Sequence, residues 1–249
     1  VKTIFKSDCG RIRLNNEDNG GIFVNRDGHC LAIVADGMGG HRAGEVASGM
    51  TIAHLQEKWE QTEGLTTADE AEKWLKDNIY EVNSLLLEHS LNNSECEGMG
   101  TTIEAVIVTN QFTTIAHVGD SRCYILNDTG FHQLTEDHTL VNELVRTGQI
   151  SKEDAEHHPR KNVILRAIGT EVDIKIDVKT IMLESGDYLL LCSDGLSNKV
   201  TEKEMMAILT NDSSLEEKAT LLIKIANENG GEDNITLIII EFDDEIERG

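Results

Sequence analysis

Leu31-Ala32-Ile33-Val34-Ala35-Asp36-Gly37-Met38-Gly39-Gly40-His41 is an apolar run that ends abruptly on a carboxylate and glycines. Its first five residues read as a buried β-strand, since no polar side chain interrupts them. Tyr188-Leu189-Leu190-Leu191-Cys192 runs in the same way into Ser193-Asp194-Gly195. A carboxylate held where a buried strand ends is costly unless something positive compensates it. Three more acidic islands stand beside apolar runs: Asn16-Glu17-Asp18, Gly119-Asp120-Ser121-Arg122 and Gly231-Glu232-Asp233-Asn234. Their spread along the whole chain suggests a shared metal site.

The chemistry of these islands narrows the ion. Their donors are carboxylates and backbone carbonyls, with no Cys or His at zinc spacing, and hard oxygen donors favour magnesium or manganese. Two such ions sharing a carboxylate can activate water and clamp a phosphoryl oxygen, which suits phosphoester hydrolysis by direct attack of water. No G-x-S-x-G elbow, Ser-His-Asp pattern or Cys-x5-Arg loop offers a competing covalent nucleophile. Gly37 lets the chain turn sharply, so that its carbonyl can face the same ion as Asp36. A phosphate-cradling loop is the rival reading, but the Gly-Lys-Ser/Thr of a nucleotide loop is missing. Arg13, five residues before Asp18, can hold a phosphate with two N–H groups. Taken singly, Arg13 reads first as a surface ion-pair residue, and His41 as a helix N-terminal or packing residue.

The composition excludes several classes. Forty-five acidic residues stand against 22 basic ones in 249, a net charge of −23. That field repels nucleic acid and anionic membranes. Metal ligands account for few of these carboxylates; most read as a solvated acidic surface. Cys9, Cys30, Cys96, Cys123 and Cys192 are odd in number and scattered, which suits a reducing cytoplasm and buried thiols rather than a disulfide framework. No apolar stretch approaches the ~20 residues that span a bilayer, and no signal-peptide pattern opens the chain.

With a single proline, Pro159, and no repeat or low-complexity tract, the sequence reads as one domain, 1–249. Strands are predicted at 3–7, 21–24, 30–35, 101–109, 113–118, 122–126, 173–182, 188–192 and 235–242, β-branched and bounded by Gly, Asp or Asn. Ala71, Leu75, Ile79, Val82 and Leu86 recur at helical spacing, as do Leu215, Ala219, Leu222 and Ala226. Ser213 and Glu216 form a capping-box pattern before the second series. A third helix is predicted over 41–59, opening with small residues that allow close packing on a sheet. The order is not a strict βαβ alternation; it fits an α+β fold of two largely antiparallel sheets with helices on their outer faces. The segment 132–166 differs, with five basic residues nearly balancing six acidic ones. Such a stretch is a place to receive an anion.

Read together and in order, the islands say more. Ser7-Asp8-x-Gly10-x-x-Arg13-x-x-Asn16-Glu17-Asp18, Asp36-Gly-Met-Gly-Gly-His41-x-Ala-Gly-Glu45, Met99-Gly-Thr-Thr102, Val118-Gly-Asp-Ser-Arg122, Ser193-Asp-Gly195 and Gly231-x-Asp-Asn-Ile-Thr236 span about residues 3–242. The series resembles the metal-dependent serine/threonine protein phosphatases of type 2C, the PPM family, and within it the single-domain bacterial members. The resemblance implies a four-layer αββα sandwich with two or three divalent cations, manganese or magnesium, at one end of the sheets. It implies that Asp36 bridges two ions, that Gly37 gives its carbonyl, and that Asp194 and Asp233 complete the pair. Asp120, with Asp194, matches the position of a third ion, and Glu17 and Asp18 would act through waters. Arg13 would bind the substrate phosphate, and His41 would protonate the leaving alkoxide. The insert at about 138–170 corresponds to a flap beside the site. One departure falls there, Leu165, where relatives often have Thr.

The resemblance further implies a cytoplasmic, monomeric enzyme that acts on phosphorylated proteins and opposes a cognate serine/threonine kinase. The alternative is an inactive, phosphatase-like binding protein, although every proposed ligand is retained. Arg160, Lys161 and His157 are candidates for receiving acidic phosphoprotein surfaces; simple folding of the flap is the other reading of them.

Overall fold

A computed structural model describes residues 1–40 and 42–243, with the backbone alone at Glu156. Two antiparallel sheets carry the fold. The first has the order β1 (Lys2–Asp8), β11 (Ile235–Glu241), β10 (Tyr188–Cys192), β7 (Arg122–Asn127) and β8 (Gly130–Gln133). The second runs β2 (Asp18–Val24), β3 (Cys30–Met38), β5 (Ile103–Val108), β6 (Thr113–Val118) and β9 (Asp177–Ile181), with β4 (Gly100–Thr101) pairing to the end of β3.

The central strands β5 and β6 are buried at every position because both faces are covered. On β3, Cys30, Ala32 and Val34 face one core, while Leu31, Ile33 and Ala35 face another. The first core lies between the sheets, where these residues meet Cys123, Ile125, Leu189, Leu191, Ile238 and Ile240. The second packs beneath α1 (Ala43–Glu60) and α2 (Ala68–Asn92). A third core joins Tyr124, Leu190, Leu237 and Ile239 to α6 (Glu202–Leu209) and α7 (Leu215–Glu228). Three cores between four layers make the αββα sandwich. Trp59 and Trp74 lock α1 to α2 edge to face, their ring centres 4.9 Å apart.

Several expected boundaries shift. The strand expected at 101–109 is two, β4 and β5, parted at Thr102, whose N–H turns to the Asp36 carbonyl. Only 177–181 of the strand expected at 173–182 pairs with a neighbour; Ile174 and Ile176 are buried without a ladder. The capping box of α7 belongs to Ser214 and Glu217, one residue later than expected. The Glu217 carboxylate accepts the Ser214 N–H at 2.9 Å, while the Ser213 N–H is taken by Asn211 Oδ1. The expected third helix is α1, which begins at Ala43. The insert holds α3 (Leu140–Arg146) and α4 (Lys152–Glu156) and is pinned by bridges from Thr139 to Ile164 and from Thr101 to Ile168. Leu165 is 46% exposed, so its departure from Thr costs no core contact. No helix among the described residues is long and apolar enough to cross a membrane.

Candidate metal centre

The antiparallel ladders bring distant carboxylates to one end of the sandwich. Asp18, at the start of β2, is the register partner of Asp36 near the end of β3. Cys192, which ends β10, pairs with Leu237 of β11 and with Arg122 of β7. Asp194, Asp233 and Asp120 lie just beyond those three residues, so they share one rim of the first sheet. Asp194 opens the short α5 (Asp194–Ser197). Every sequence-predicted carboxylate is at this end, and so is Arg13. His41 lies outside the described residues.

These side chains sense one another. Burial pushes the Asp18 carboxyl up to about 7, partly offset by hydrogen bonds from Ser193 and Thr236, with Asp194 and Asp233 adding to the rise. Asp120 is likewise pushed up to about 7, first by burial and then by the Asp194 charge. Burial, then Asp233, lifts Asp194 to about 6. Asp36 is raised well above the carboxylate range by burial and then by Asp18, Asp194, Asp120 and Asp233. Burial also raises Glu17, against the opposing charge of Arg13.

Two observations test whether the residues fit a cation. Asp120 Oδ1 and Asp194 Oδ1 are buried with no hydrogen-bond partner among the described residues, and buried oxygens left so are costly. The mutual lifting of four carboxyls is what a bound cation would reverse. The donor set therefore fits a hard divalent ion. Among the described residues, however, no three His, Cys, Asp or Glu side chains already form a metal-holding group. Asp233 Oδ2 is turned to Arg13 Nη2 at 2.8 Å, and Asp18 Oδ2 accepts the Ser193 hydroxyl at 2.6 Å.

Neutral groups brace the acids. The Asp36 N–H donates to Thr102 Oγ1 at 2.9 Å, and the Asp36 carbonyl accepts the Thr101 hydroxyl at 2.8 Å. Thr102 Oγ1 in turn lies 2.7 Å from Ser121 Oγ, which ties β3 to the Asp120 turn. The buried Asn234 accepts the Glu17 N–H at 2.7 Å and donates to the Cys9 and Asn15 carbonyls. Sequence reasoning quoted the motifs that hold Thr102, Ser193 and Asn234 without giving these residues a role. The available signal was a hydroxyl or amide next to each acidic island.

Close backbone packing explains Gly37. A β-carbon there would lie 2.1 Å from the Gly44 carbonyl oxygen of α1 and 2.5 Å from that of Glu17. Gly37 and the small residues opening α1 thus let the helix press on the end of β3, as their size suggested. A cavity of about 860 Å³ lies elsewhere, lined in part by Tyr188, Lys218 and Glu241. Tyr188 begins β10 while the carboxylates follow its other end, roughly 13 Å away at ~3.3 Å per residue.

The rim of this double-sheet sandwich gathers five aspartates, two of them with buried carboxylate oxygens that have no partner among the described residues, a donor set whose chemistry suits hard cations. Residues 10–232 match the family described as Protein phosphatase 2C, and the chain belongs to that metal-dependent family. It is 52% identical over 239 residues to the serine/threonine phosphatase stp of Listeria monocytogenes serotype 4b (strain F2365), covering 96% of this chain and 95% of that one. Among solved structures, the S. agalactiae serine/threonine phosphatase superposes with a TM-score of 0.93 at 40% identity, covering 97% of this chain and 99% of the other. The serine/threonine phosphatase Stp1 of Staphylococcus aureus superposes with a TM-score of 0.92, also at 40% identity, over 97% and 95% of the two chains.

Proposed function

We propose that the chain is a protein serine/threonine phosphatase that hydrolyses phosphoserine and phosphothreonine on proteins. The observation that carries this reading is the joint placement of Asp18, Asp36, Asp120, Asp194 and Asp233 with Arg13 at one end of a protein phosphatase 2C sandwich.

Asp36, the Gly37 carbonyl, Asp194 and Asp233 would hold two divalent cations, manganese or magnesium, and Asp120 with Asp194 a looser third. Bound there, such ions supply Lewis acidity and lower the pKa of water. Glu17 and Asp18, on the same rim, would act through waters rather than as direct ligands. Arg13 receives the phosphate. Its Nη2 is held by Asp233 and its Nε by the Glu232 carbonyl at 3.2 Å. Nη1 makes no hydrogen bond among the described residues, which leaves donors for phosphoryl oxygens. In this reading His41 gives a proton to the leaving serine or threonine alkoxide, and residues 138–170 form the flap of a single catalytic domain.

The exposed Arg160, Lys161 and His157 would meet acidic phosphoprotein surfaces, among them a cognate serine/threonine kinase. The five free cysteines suit a reducing cytoplasm, where the enzyme would work as a monomer.

The test is hydrolysis of a phosphothreonine peptide with manganese and then with a chelator. Full activity in chelator, or none with metal, would reject the reading. Equal rates on a phosphotyrosine peptide would reject the residue preference.

A further inference from the structure

Glu136, Asp137 and His138, at the entry to the insert, are each bonded to the turn that carries Asp120 or to one of the strands that flank it. The Glu136 carbonyl accepts from His117 Nε2 at 3.0 Å. Asp137 takes a bidentate grip from Arg122, at 2.9 Å from Nε and 2.7 Å from Nη2. His138 brackets Gly119 from both sides: its N–H donates to the Gly119 carbonyl at 2.7 Å, and its Nδ1 accepts the Gly119 N–H at 3.1 Å. Asp120 therefore sits between two residues, Gly119 and Arg122, that are held by 137–138.

The ring chemistry of His138 is determined by its neighbours. An amide N–H only donates, so Nδ1 carries no proton. The neutral ring then has its proton on Nε2, which donates to Asp177 Oδ2 at 3.0 Å. Arg166 Nη1, 3.1 Å from Nε2, finds no acceptor there and instead balances Asp177 at 3.5 Å. A carboxylate that fixes one ring nitrogen sets the role of the other. His138 is 7% exposed, so water does not replace either bond. Gly119 has little room to shift, because its φ is +120° and a β-carbon on it would lie 2.5 Å from Thr102.

We propose that His138 is a positioning residue for Asp120: its ring holds the Gly119 peptide, Asp177 fixes the tautomer that allows this, and together they aim the Asp120 carboxylate at a divalent cation. The proposal rests on reading Asp120 as the ligand of the looser third ion. It makes the first residue of the flap part of the support of that ion.

The test is manganese binding, followed by calorimetry and by the electron paramagnetic resonance of free ion, with thermal unfolding as the check on folding. His138→Asn places an acceptor where Nδ1 stands, whereas His138→Gln places its polar group nearer Nε2. Outer partners of metal ligands set affinity by about 10- to 100-fold. His138→Gln is expected to weaken the loosest ion by that factor and spare the tighter ones, while His138→Asn stays near wild type. Asp177→Ala, at a side chain 43% exposed and so safe for folding, is expected to weaken the same ion several-fold. Like behaviour of the Asn and Gln variants would overturn the proposal, as would wild-type affinity in Asp177→Ala. If either His138 variant fails to fold, Asp177→Ala decides. Asp120→Asn separates the two levels: if it loses no ion, the third-site reading falls and the proposal with it. If it loses one ion and His138→Gln loses none, the proposal alone falls.

Discussion

Arg13 Nη2 lies 2.8 Å from Asp233 Oδ2, so the residue assigned to the phosphate is already paired with a residue assigned to a metal. The pair fixes the guanidinium through a carboxylate that leads directly into β11. It also bears out the plainest reading of Arg13, an ion-pair residue, without removing the phosphate role.

Arg13→Lys keeps the charge and loses the planar fork. Hydrogen bonds to charged groups contribute about 1.5–3 kcal/mol, so kcat/KM on a phosphothreonine peptide is expected to fall about 10- to 100-fold. Both partners are half exposed, at 47% and 39%, so stability should move by under about 1 kcal/mol. Steady-state kinetics beside a thermal melt checks both; unchanged kinetics would remove Arg13 from the phosphate site.

Thr102 is fully buried, and its hydroxyl serves both the Asp36 N–H and Ser121. Thr102→Val keeps the shape and strands both partners, at an expected cost of about 1–3 kcal/mol. Thr102→Ser should recover most of the loss. Urea unfolding in chelator measures this; a neutral valine would show that the hydroxyl bridge contributes nothing.

His138 gives a pH signature. Burial, then the His117 charge, pushes its pKa down from 6.5 to about 4. The unfolded chain therefore takes up this proton first, and stability rises with pH across that window. Its contribution is complete above about 6.5 and is lost as pH falls towards about 4. Urea midpoints in chelator from pH 7 to pH 4 should fall less steeply in His138→Asn than in wild type. Parallel curves would contradict the assignment.

The start of α7 separates two neighbouring serines. Ser214→Ala removes the cap and should cost about 1 kcal/mol, while Ser213→Ala should stay within about 0.5 kcal/mol. Denaturant midpoints of the two variants decide it, and equal losses would place the cap elsewhere.

The layers were legible because their signal is local. β3, β10 and β11 hold unbroken apolar runs at 30–35, 188–192 and 237–240, and α2 and α7 show helical periodicity. β8 was missed because Gly130–Gln133 is a short edge strand with no apolar run. α6 buries only Met205, Ile208 and Leu209, too few turns for the period to declare itself. The acids of the site were legible because a carboxylate after a buried strand is anomalous. Their braces were not: Ser193 reaches Asp18 across 175 residues, a contact that no spacing encodes. The His138 bracket was hidden similarly, since its histidine read only as part of a near-neutral insert.

The pairing of β1 with β11 sets Lys2 opposite Glu241 and Asp8 opposite Ile235. The first and last described strands thus lie side by side, and Lys2 and Glu241 meet at the end remote from the aspartates. Antiparallel register partners are about 5 Å apart, so in a redesigned chain a short peptide could link the Lys2 end of β1 to the Glu241 end of β11 and close the described strands into a ring. Such a ring could be reopened at the Asp128-Thr129 turn, between β7 and β8 on the same remote side. The permuted protein would keep every carboxylate on its own strand end, since the rim depends on which strands are neighbours and not on where the chain starts.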